Sequence, residues 1–241
     1  MMASGADMLL TESERIKSEY RRRSESLSPD KYAQWQPDVW LTLSERKRLA
    51  TVMLHRLGVF PDASSRCLEV GYGTAGWLSD LIGWGVPETN ISGIELDEQR
   101  AGIARQLLPA ADLRVGDAAN MPWANESFDL VVASTVFTSI LDLEIRKKVA
   151  GEITRVLAQG GALLWYDFTF NNPNNANVKK VTKKELRSLF PTLSGEMKSL
   201  TLAPPIARPV ARMSWSFATM LSAVQFLRTH LLAVLVKDKK G

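Results

Sequence analysis

Three glycines stand at a spacing that favours the binding of a nucleotide-like ligand. Gly71, Gly73 and Gly76 follow a short apolar run and precede an apolar pattern with helical spacing, which predicts a turn between a strand and a helix. Glycine lets the backbone take positive φ and approach a ligand closely, and the free N–H groups at the start of the helix face whatever is bound there. Such glycines also occur in purely structural turns, so this motif alone leaves both interpretations open.

Three acidic residues strengthen the ligand interpretation because they recur at the ends of successive predicted strands. Glu69 lies two residues before the glycine turn, and Glu95 ends the second predicted strand, where a carboxylate can accept hydrogen bonds from both ribose hydroxyls. Asp117 ends the third, where it and the backbone N–H of Ala118 can take the edge of an adenine. In this order, the three acids favour a bound nucleoside.

The elements that position these residues alternate between strand and helix along most of the chain. This alternation predicts an α/β fold, Rossmann-like and doubly wound, with three α/β/α layers and ligands at the carboxyl ends of the strands. The predicted strands cover residues 66–70, 90–95, 112–115, 128–133, 162–168, 195–202 and 230–236.

The domain prediction places a helical cap at residues 1–44 and the main domain at residues 45–241. A helical insertion at residues 204–229 precedes the last strand, and its helix from Ser214 to Leu227 has a wide apolar face. We expect this helix to be a lid over the acceptor pocket. With Arg208 and Arg212 just before it, the alternative is peripheral contact with a membrane surface.

Composition limits the classes of function. The chain has 241 residues, 45% of them hydrophobic, which is enough for a full core. A net charge of +4 from scattered basic residues makes a nucleic-acid partner an unfavoured prediction. The single cysteine, Cys67, rules out an intrachain disulfide, and the N-terminus lacks a signal-peptide pattern, so we expect a cytoplasmic protein.

Five segments in order resemble the class I S-adenosylmethionine-dependent methyltransferases. They are LEVGYGTAG (68–76), GIELD (93–97), GDAANMPW (116–123), SFDLVV (127–132) and EITRVLAQGGAL (152–163). The resemblance implies a seven-stranded sheet with an antiparallel last strand and S-adenosylmethionine as the cofactor.

By the same resemblance, Gly71 and Gly73 pass under the methionine part of the cofactor, with Glu69 and Gly76 in the same motif. Glu95, next to Leu96, holds the ribose. Asp117 and Ala118 hold the adenine, and Ser134 begins the loop beside the methyl group.

Other segments are similar to a bacterial group of methyltransferases of surface-glycan or secondary-metabolite biosynthesis. They are WYDF (165–168), NNP (171–173), APPIAR (203–208) and LRTH (227–230). This similarity predicts O-methylation of a sugar hydroxyl on a glycan or a glycosylated metabolite.

A hydroxyl acceptor requires a base near the proton that it loses. The two candidates are His230, whose ordinary pKa suits this role, and Asp167, which could instead orient a neighbour or bind the cofactor amine. Asn171, Asn172 and Arg208 are candidate acceptor-binding residues.

Several alternatives are weakened by residues that are absent from this sequence. Amino-directed nucleic-acid methyltransferases carry an Asn/Asp-Pro-Pro-aromatic motif after strand four, where this chain reads Ala133-Ser134-Thr135-Val136. The same place lacks the aspartate of metal-dependent catechol-type enzymes, so we predict no required metal. A nicotinamide-dependent oxidoreductase and a non-catalytic cofactor-binding or interaction domain stay open, as does the oligomeric state.

Overall fold

The strands form a single sheet in the computed structural model, which describes residues 5–26, 28–171 and 175–238. They are β1 (Cys67–Val70), β2 (Ile91–Glu95), β3 (Asp112–Val115), β4 (Phe128–Ser134), β5 (Leu157–Phe168), β6 (Leu193–Leu202) and β7 (Arg228–Lys237). Their order across the sheet is β3-β2-β1-β4-β5-β7-β6. β7 is antiparallel to both of its neighbours, and the other described pairs are parallel. The predicted seven-stranded sheet with an antiparallel last strand is thus confirmed.

Helices cover both faces of this sheet. They are α1 (Gly5–Ser26), α2 (Pro37–Arg56), α3 (Gly76–Gly83), α4 (Glu98–Leu107), α5 (Leu143–Val156), α6 (Lys183–Leu189), α7 (Pro204–Met213) and α8 (Trp215–Ser222). Side chains of α5 and α6 pack in one core cluster, while those of α2, α3 and α4 pack in a second. Strand residues alternate between the two clusters, as Leu163 and Leu164 do, because successive side chains in a strand point to opposite faces. The three layers are therefore those predicted. None of the described helices is both long and apolar enough to cross a membrane.

Helix α2 crosses the predicted boundary between the helical cap and the main domain. It begins at Pro37 and ends at Arg56. Proline suits the first turn of a helix, since its missing N–H would have no partner there. The predicted division of the chain at residue 44 falls inside this helix.

The insertion before β7 also differs from the prediction. Within the predicted helical insertion, residues 204–213 form a separate helix, α7, which the sequence analysis did not delimit, and α8 ends at Ser222 rather than at Leu227. Pro204 and Pro205 occupy the first turn, where proline is favourable. Pro209 lies on the exposed side.

The loop after β4 is held in place by one buried cation. Arg146 of α5 has a side chain that is 1% exposed. Its Nε donates to the Ile140 carbonyl at 2.6 Å and its Nη2 to the Lys179 carbonyl at 3.0 Å. Its Nη1 pairs with Glu185 of α6 at 2.5 Å. The guanidinium therefore ties together three segments that meet near the carboxyl ends of β4 and β5.

We expect Arg146→Ala to lower the free energy of unfolding by about 2–4 kcal/mol, because it leaves two carbonyls and the half-buried carboxylate of Glu185 without their donor. Lys147→Ala is the matched control, since Lys147 is the next residue and forms an exposed pair with Glu144. It should cost about 0–1 kcal/mol in urea denaturation. Equal losses in the two variants would contradict this role of Arg146.

Candidate functional site

The glycine turn lies where β1 ends, and its conformation requires glycine. Gly71 and Gly73 have φ of 68° and 57°. A Cβ at Gly71 would lie 2.9 Å from the side chain of Val136, and one at Gly73 would collide with the guanidinium of Arg100. The turn therefore has room for backbone alone on the side that faces the loop after β4.

Glu95 fastens this turn to the end of β2. Its Oε2 accepts from the Gly73 N–H at 2.8 Å, and its Oε1 accepts from the N–H groups of Leu96 and Asp97 at 2.8 and 3.0 Å. The residue is buried, yet it lines a cleft. A carboxylate offers about four acceptor positions, so one remains for a donor in that cleft.

Asp117 stands at the neighbouring strand end, as the sequence predicts. Its Oδ1 accepts from the Ala119 N–H at 2.8 Å, and its Oδ2 accepts from the Ser13 hydroxyl at 2.6 Å. Asp117 and Ala118 both line the same cleft as Glu95. The position predicted for the adenine partner is therefore shared, in this structure, with a hydroxyl of α1.

The cleft opens to solvent. It brings together five of the predicted cofactor residues, namely Gly71, Glu95, Leu96, Asp117 and Ala118. Ligand sites are typically concave and lined by apolar side chains with a few convergent polar groups. With the buried carboxylate of Glu95 and the glycine cradle, the chemistry of this cleft fits an adenosine-containing cofactor.

Helix α1 covers the cleft, and the sequence analysis did not anticipate this. Ser13, Ile16 and Tyr20 line it, and their spacing of three and four residues places them on one helical face. The ring of Tyr20 lies 4.5 Å from the guanidinium of Arg100. This spacing can be seen in the sequence. It shows that the three side chains share one face of the helix, but it does not show what that face covers.

Two further contacts hold α1 against the loop after β4. Glu12 accepts from the Leu141 N–H at 2.6 Å, and Arg15 donates to the Ser139 carbonyl at 2.5 Å. The segment 204–229, expected to be the lid, contributes no residue to the cleft lining. Its helices α7 and α8 pack on α2 and β6 instead.

His230 occupies a position that speaks against the expected role of general base. It is buried in β7, with its ring stacked on Tyr166 at 5.0 Å and edge-on to Phe168 at 4.6 Å. Burial, followed by the charge of Arg46, lowers the pKa of His230 to about 3. Efficient general bases have pKa values near the operating pH, and His230 does not line the cleft.

Asp167 is also enclosed, and it positions the loop after β4. Its carboxylate accepts from the hydroxyl and the N–H of Thr138, the latter at 3.1 Å, and from the Phe168 N–H at 3.2 Å. Burial raises the pKa of Asp167 to about 7. This value would suit a base, but both oxygens are already used and the residue does not line the cleft.

Glu69 supports the glycine turn from below. Its two oxygens accept from the N–H groups of Trp77 and Leu78 at 3.4 and 2.9 Å, at the start of α3, which Gly76 begins. Burial raises the pKa of Glu69 to about 8. Neither Glu69 nor Gly76 lines the cleft, so their part in the site is to shape the turn.

The remaining predicted residues are spread out. Ser134 ends β4 outside the cleft lining. Asn171 accepts from the Lys180 N–H at 2.9 Å and so closes its own loop, while Asn172 lies outside the described residues. Arg208 pairs with Asp38 of α2 at 3.8 Å. Neither Asn171 nor Arg208 lines the cleft.

Comparison with known proteins agrees with the cofactor chemistry of this cleft. Residues 68–165, which carry the glycine turn, Glu95 and Asp117, match a family model described as "Methyltransferase domain". This part of the chain is therefore similar to a methyltransferase domain. The match and the chemistry of the cleft indicate S-adenosylmethionine as the cofactor.

Two curated proteins that this chain resembles are named for different acceptors. One is the demethylmenaquinone methyltransferase of Roseiflexus sp. (strain RS-1), 28% identical over 142 residues, which are 58% of this chain and 58% of that protein. The other is phthiotriol/phenolphthiotriol dimycocerosates methyltransferase 1 of Mycobacterium ulcerans (strain Agy99), 35% identical over 147 residues. That match covers 56% of this chain and 51% of the relative. The chain thus spans between half and two thirds of the length of these relatives.

Solved structures share the fold of this chain. A candidate sarcosine dimethylglycine methyltransferase from Galdieria sulphuraria superposes with a TM-score of 0.62 over 82% of this chain and 87% of its own. At 16% identity, this likeness supports the fold alone.

We expect Asp117→Ala to weaken the binding of S-adenosylhomocysteine by about tenfold or more, because a hydrogen bond to a charged group contributes about 1.5–3 kcal/mol. Asp112→Ala is the matched control, since Asp112 lies at the opposite end of the same strand, where it pairs with Arg114. Isothermal titration calorimetry measures both variants. Unchanged affinity in Asp117→Ala would show that the adenine position has been misplaced.

Stability should depend on pH through Glu69. Its pKa is raised in the folded chain, from 4.5 to about 8. At pH values between these two, the folded state therefore keeps a proton on Glu69 that the unfolded state has lost. The free energy of unfolding should therefore fall as the pH rises from about 5 to about 8.

Glu69→Gln should be as stable as the unsubstituted protein at pH 5. At pH 8 it should be more stable by about 2–4 kcal/mol, since each pKa unit corresponds to about 1.4 kcal/mol. Asp167 contributes a change of the same sign in both proteins, so it cancels in the difference. Denaturant titrations at both pH values give the result, with the exposed Glu98→Gln as control. Parallel pH profiles for Glu69→Gln and the unsubstituted protein would refute it.

Proposed function

We propose that this chain transfers the methyl group of S-adenosylmethionine to a hydroxyl of a lipid-linked acceptor. The observation that supports the methyl transfer is the cleft in which Glu95, the glycine turn and Asp117 meet inside a methyltransferase domain. Glu95 would hold the ribose, Asp117 and Ala118 the adenine, and Gly71 and Gly73 the methionine part.

The cofactor supplies an electrophilic methyl group on a sulfonium centre. The reacting atoms must be held about 3–3.5 Å apart and in line, so positioning is most of what the protein contributes. Here the positioning elements are the loop after β4, which Asp167 holds through Thr138, and helix α1 above it. Tyr20 faces the cleft between them, and burial, followed by the charge of Glu95, raises the pKa of its hydroxyl. It therefore stays protonated at neutral pH and can donate a hydrogen bond.

The acceptor proposal combines three sources of support. The sequence segments at 165–168 and 203–208 resemble glycan and secondary-metabolite enzymes, which favours a sugar hydroxyl. The two relatives are named for a demethylmenaquinone and for phthiotriol dimycocerosates. Apolar side chains also line the cleft beside the loop after β4, namely Ile16, Val136 and Ile140. A hydroxyl on a lipid-linked molecule, including a lipid-linked sugar, agrees with all three.

The test has two stages. In calorimetry, we expect the purified chain to bind S-adenosylhomocysteine and not NAD, because the Asp117-Ala118 pair and the antiparallel seventh strand favour a methyltransferase over a nicotinamide-dependent enzyme. NAD binding without S-adenosylhomocysteine binding would favour a nicotinamide-dependent oxidoreductase and would contradict the methyltransferase proposal.

In the second stage, a coupled assay for S-adenosylhomocysteine release is run with glycolipids, isoprenoid quinols and free sugars. Turnover should be higher with an acceptor in detergent or vesicles than with its water-soluble head group alone. Turnover with free sugars only would overturn the lipid-linked acceptor and retain the sugar hydroxyl. Cofactor binding without turnover on the panel or on lipid extracts would favour the non-catalytic cofactor-binding domain.

A further inference from the structure

Helices α7 and α8 carry a surface of exposed large apolar side chains. Met213 and Phe226 are 87% and 84% exposed, and Trp215, Phe217 and Met220 are exposed as well. Trp40 of α2 is also exposed, and it adjoins Leu41, on which α7 and α8 pack. We call these six residues the aromatic surface. Five of the six lie between residues 213 and 226. Exposed large apolar side chains gathered in this way mark a surface that meets a partner or a membrane.

The aromatic surface rests on a fixed base. Ala211 and Ala218 are buried against Leu41, and the Ser214 hydroxyl accepts from the Phe217 N–H at 3.2 Å. At the other end, Arg228 donates to the carbonyls of Ser222 and Ser199 at 2.7 and 3.1 Å. The small residues of α7 and α8 thus face the protein interior, and the large apolar residues face outward. The outward side chains are held in place rather than left by a loose loop.

The charge of this region is one-sided. The chain has no acidic residue between Glu196 and Asp238, and its basic residues there are Lys198, Arg208, Arg212, Arg228 and Lys237. Arg208 is partly offset by Asp38 at 3.8 Å. Arg212 is exposed, and it donates to the neutral amide of Gln36 at 3.2 Å, which leaves its positive charge uncompensated in that contact. Cations beside exposed tryptophan and phenylalanine suit the interface of a bilayer with anionic lipids.

The aromatic surface lies at the edge of the sheet where ligands bind. β6 is parallel to β5, since both are antiparallel to β7, so the carboxyl end of β6 lies at the same edge as the glycine turn. α7 begins two residues after β6 ends. From this position we propose that the aromatic surface, with Arg208 and Arg212, docks this protein on the face of an anionic lipid bilayer. Docking would turn the sheet edge that carries the cleft towards the membrane. The docking itself does not depend on the proposed function, and only the link between docking and a lipid-linked acceptor rests on it.

The test is binding to vesicles, which needs neither cofactor nor acceptor. We expect the full chain to float with vesicles of phosphatidylcholine and phosphatidylglycerol in equal parts and to bind phosphatidylcholine vesicles about tenfold more weakly at low salt. The triple variant Trp215→Ser, Phe217→Ser, Met220→Ser should lose about tenfold or more of the binding, because it removes the side chains that would enter the interface. Arg212→Glu should lose about fivefold, and less at high salt.

The matched control is Ile103→Ser with Leu107→Ser, which removes two exposed apolar side chains from α4, away from the aromatic surface. It should bind vesicles as the unsubstituted protein does. Calorimetry with S-adenosylhomocysteine on every variant shows that the cofactor domain is folded, so a failure of docking and a failure of the proposed function are distinguishable. Equal vesicle binding by the triple variant and the control would overturn the proposal. The proposal would also be overturned if the unsubstituted protein did not bind vesicles but formed a dimer, and if the triple variant abolished that dimer.

Discussion

The site depends on one carboxylate that is bound by backbone N–H groups. Glu95 accepts from Gly73, Leu96 and Asp97, and so it joins the turn after β1 to the end of β2. The turn can come this close because Gly71 and Gly73 take positive φ without a Cβ. A cleft with a buried anion and exposed backbone follows from these contacts, before any ligand is considered.

Buried acids elsewhere shape the molecule rather than perform chemistry. Glu69 binds the first N–H groups of α3, and Asp167 binds Thr138 in the loop after β4. Each lies beneath a segment that borders the cleft, and the pKa of each is raised by burial. Burying these two carboxyl groups lowers the free energy of unfolding near neutral pH. In return, their hydrogen bonds fix the segments that border the cleft, and such local costs are common around binding sites.

Helix α1 covers one side of the cleft. Ser13 reaches Asp117, while Glu12 and Arg15 reach the loop after β4, so three polar contacts hold α1 in place. A ligand that uses the same oxygen of Asp117 must share it with the Ser13 hydroxyl or replace that hydroxyl.

The sequence alone determined the strands, their acidic ends and the glycine turn. These are local features, and the carboxyl ends of parallel strands meet at one edge whatever covers them, so Glu95 and Asp117 could be placed beside Gly71 without a structure. The resemblance added the antiparallel β7, which the structure confirms.

Tertiary structure decided the surroundings of the cleft. The face of α1 shows in the spacing of Ser13, Ile16 and Tyr20, but what it covers depends on contacts more than a hundred residues away. The same holds for His230, which lies near the predicted edge yet is enclosed by Tyr166 and Phe168. A sequence shows which residues can do chemistry, whereas burial and the direction of a side chain come from packing between distant segments, and here those two properties separated the cofactor residues from the expected base.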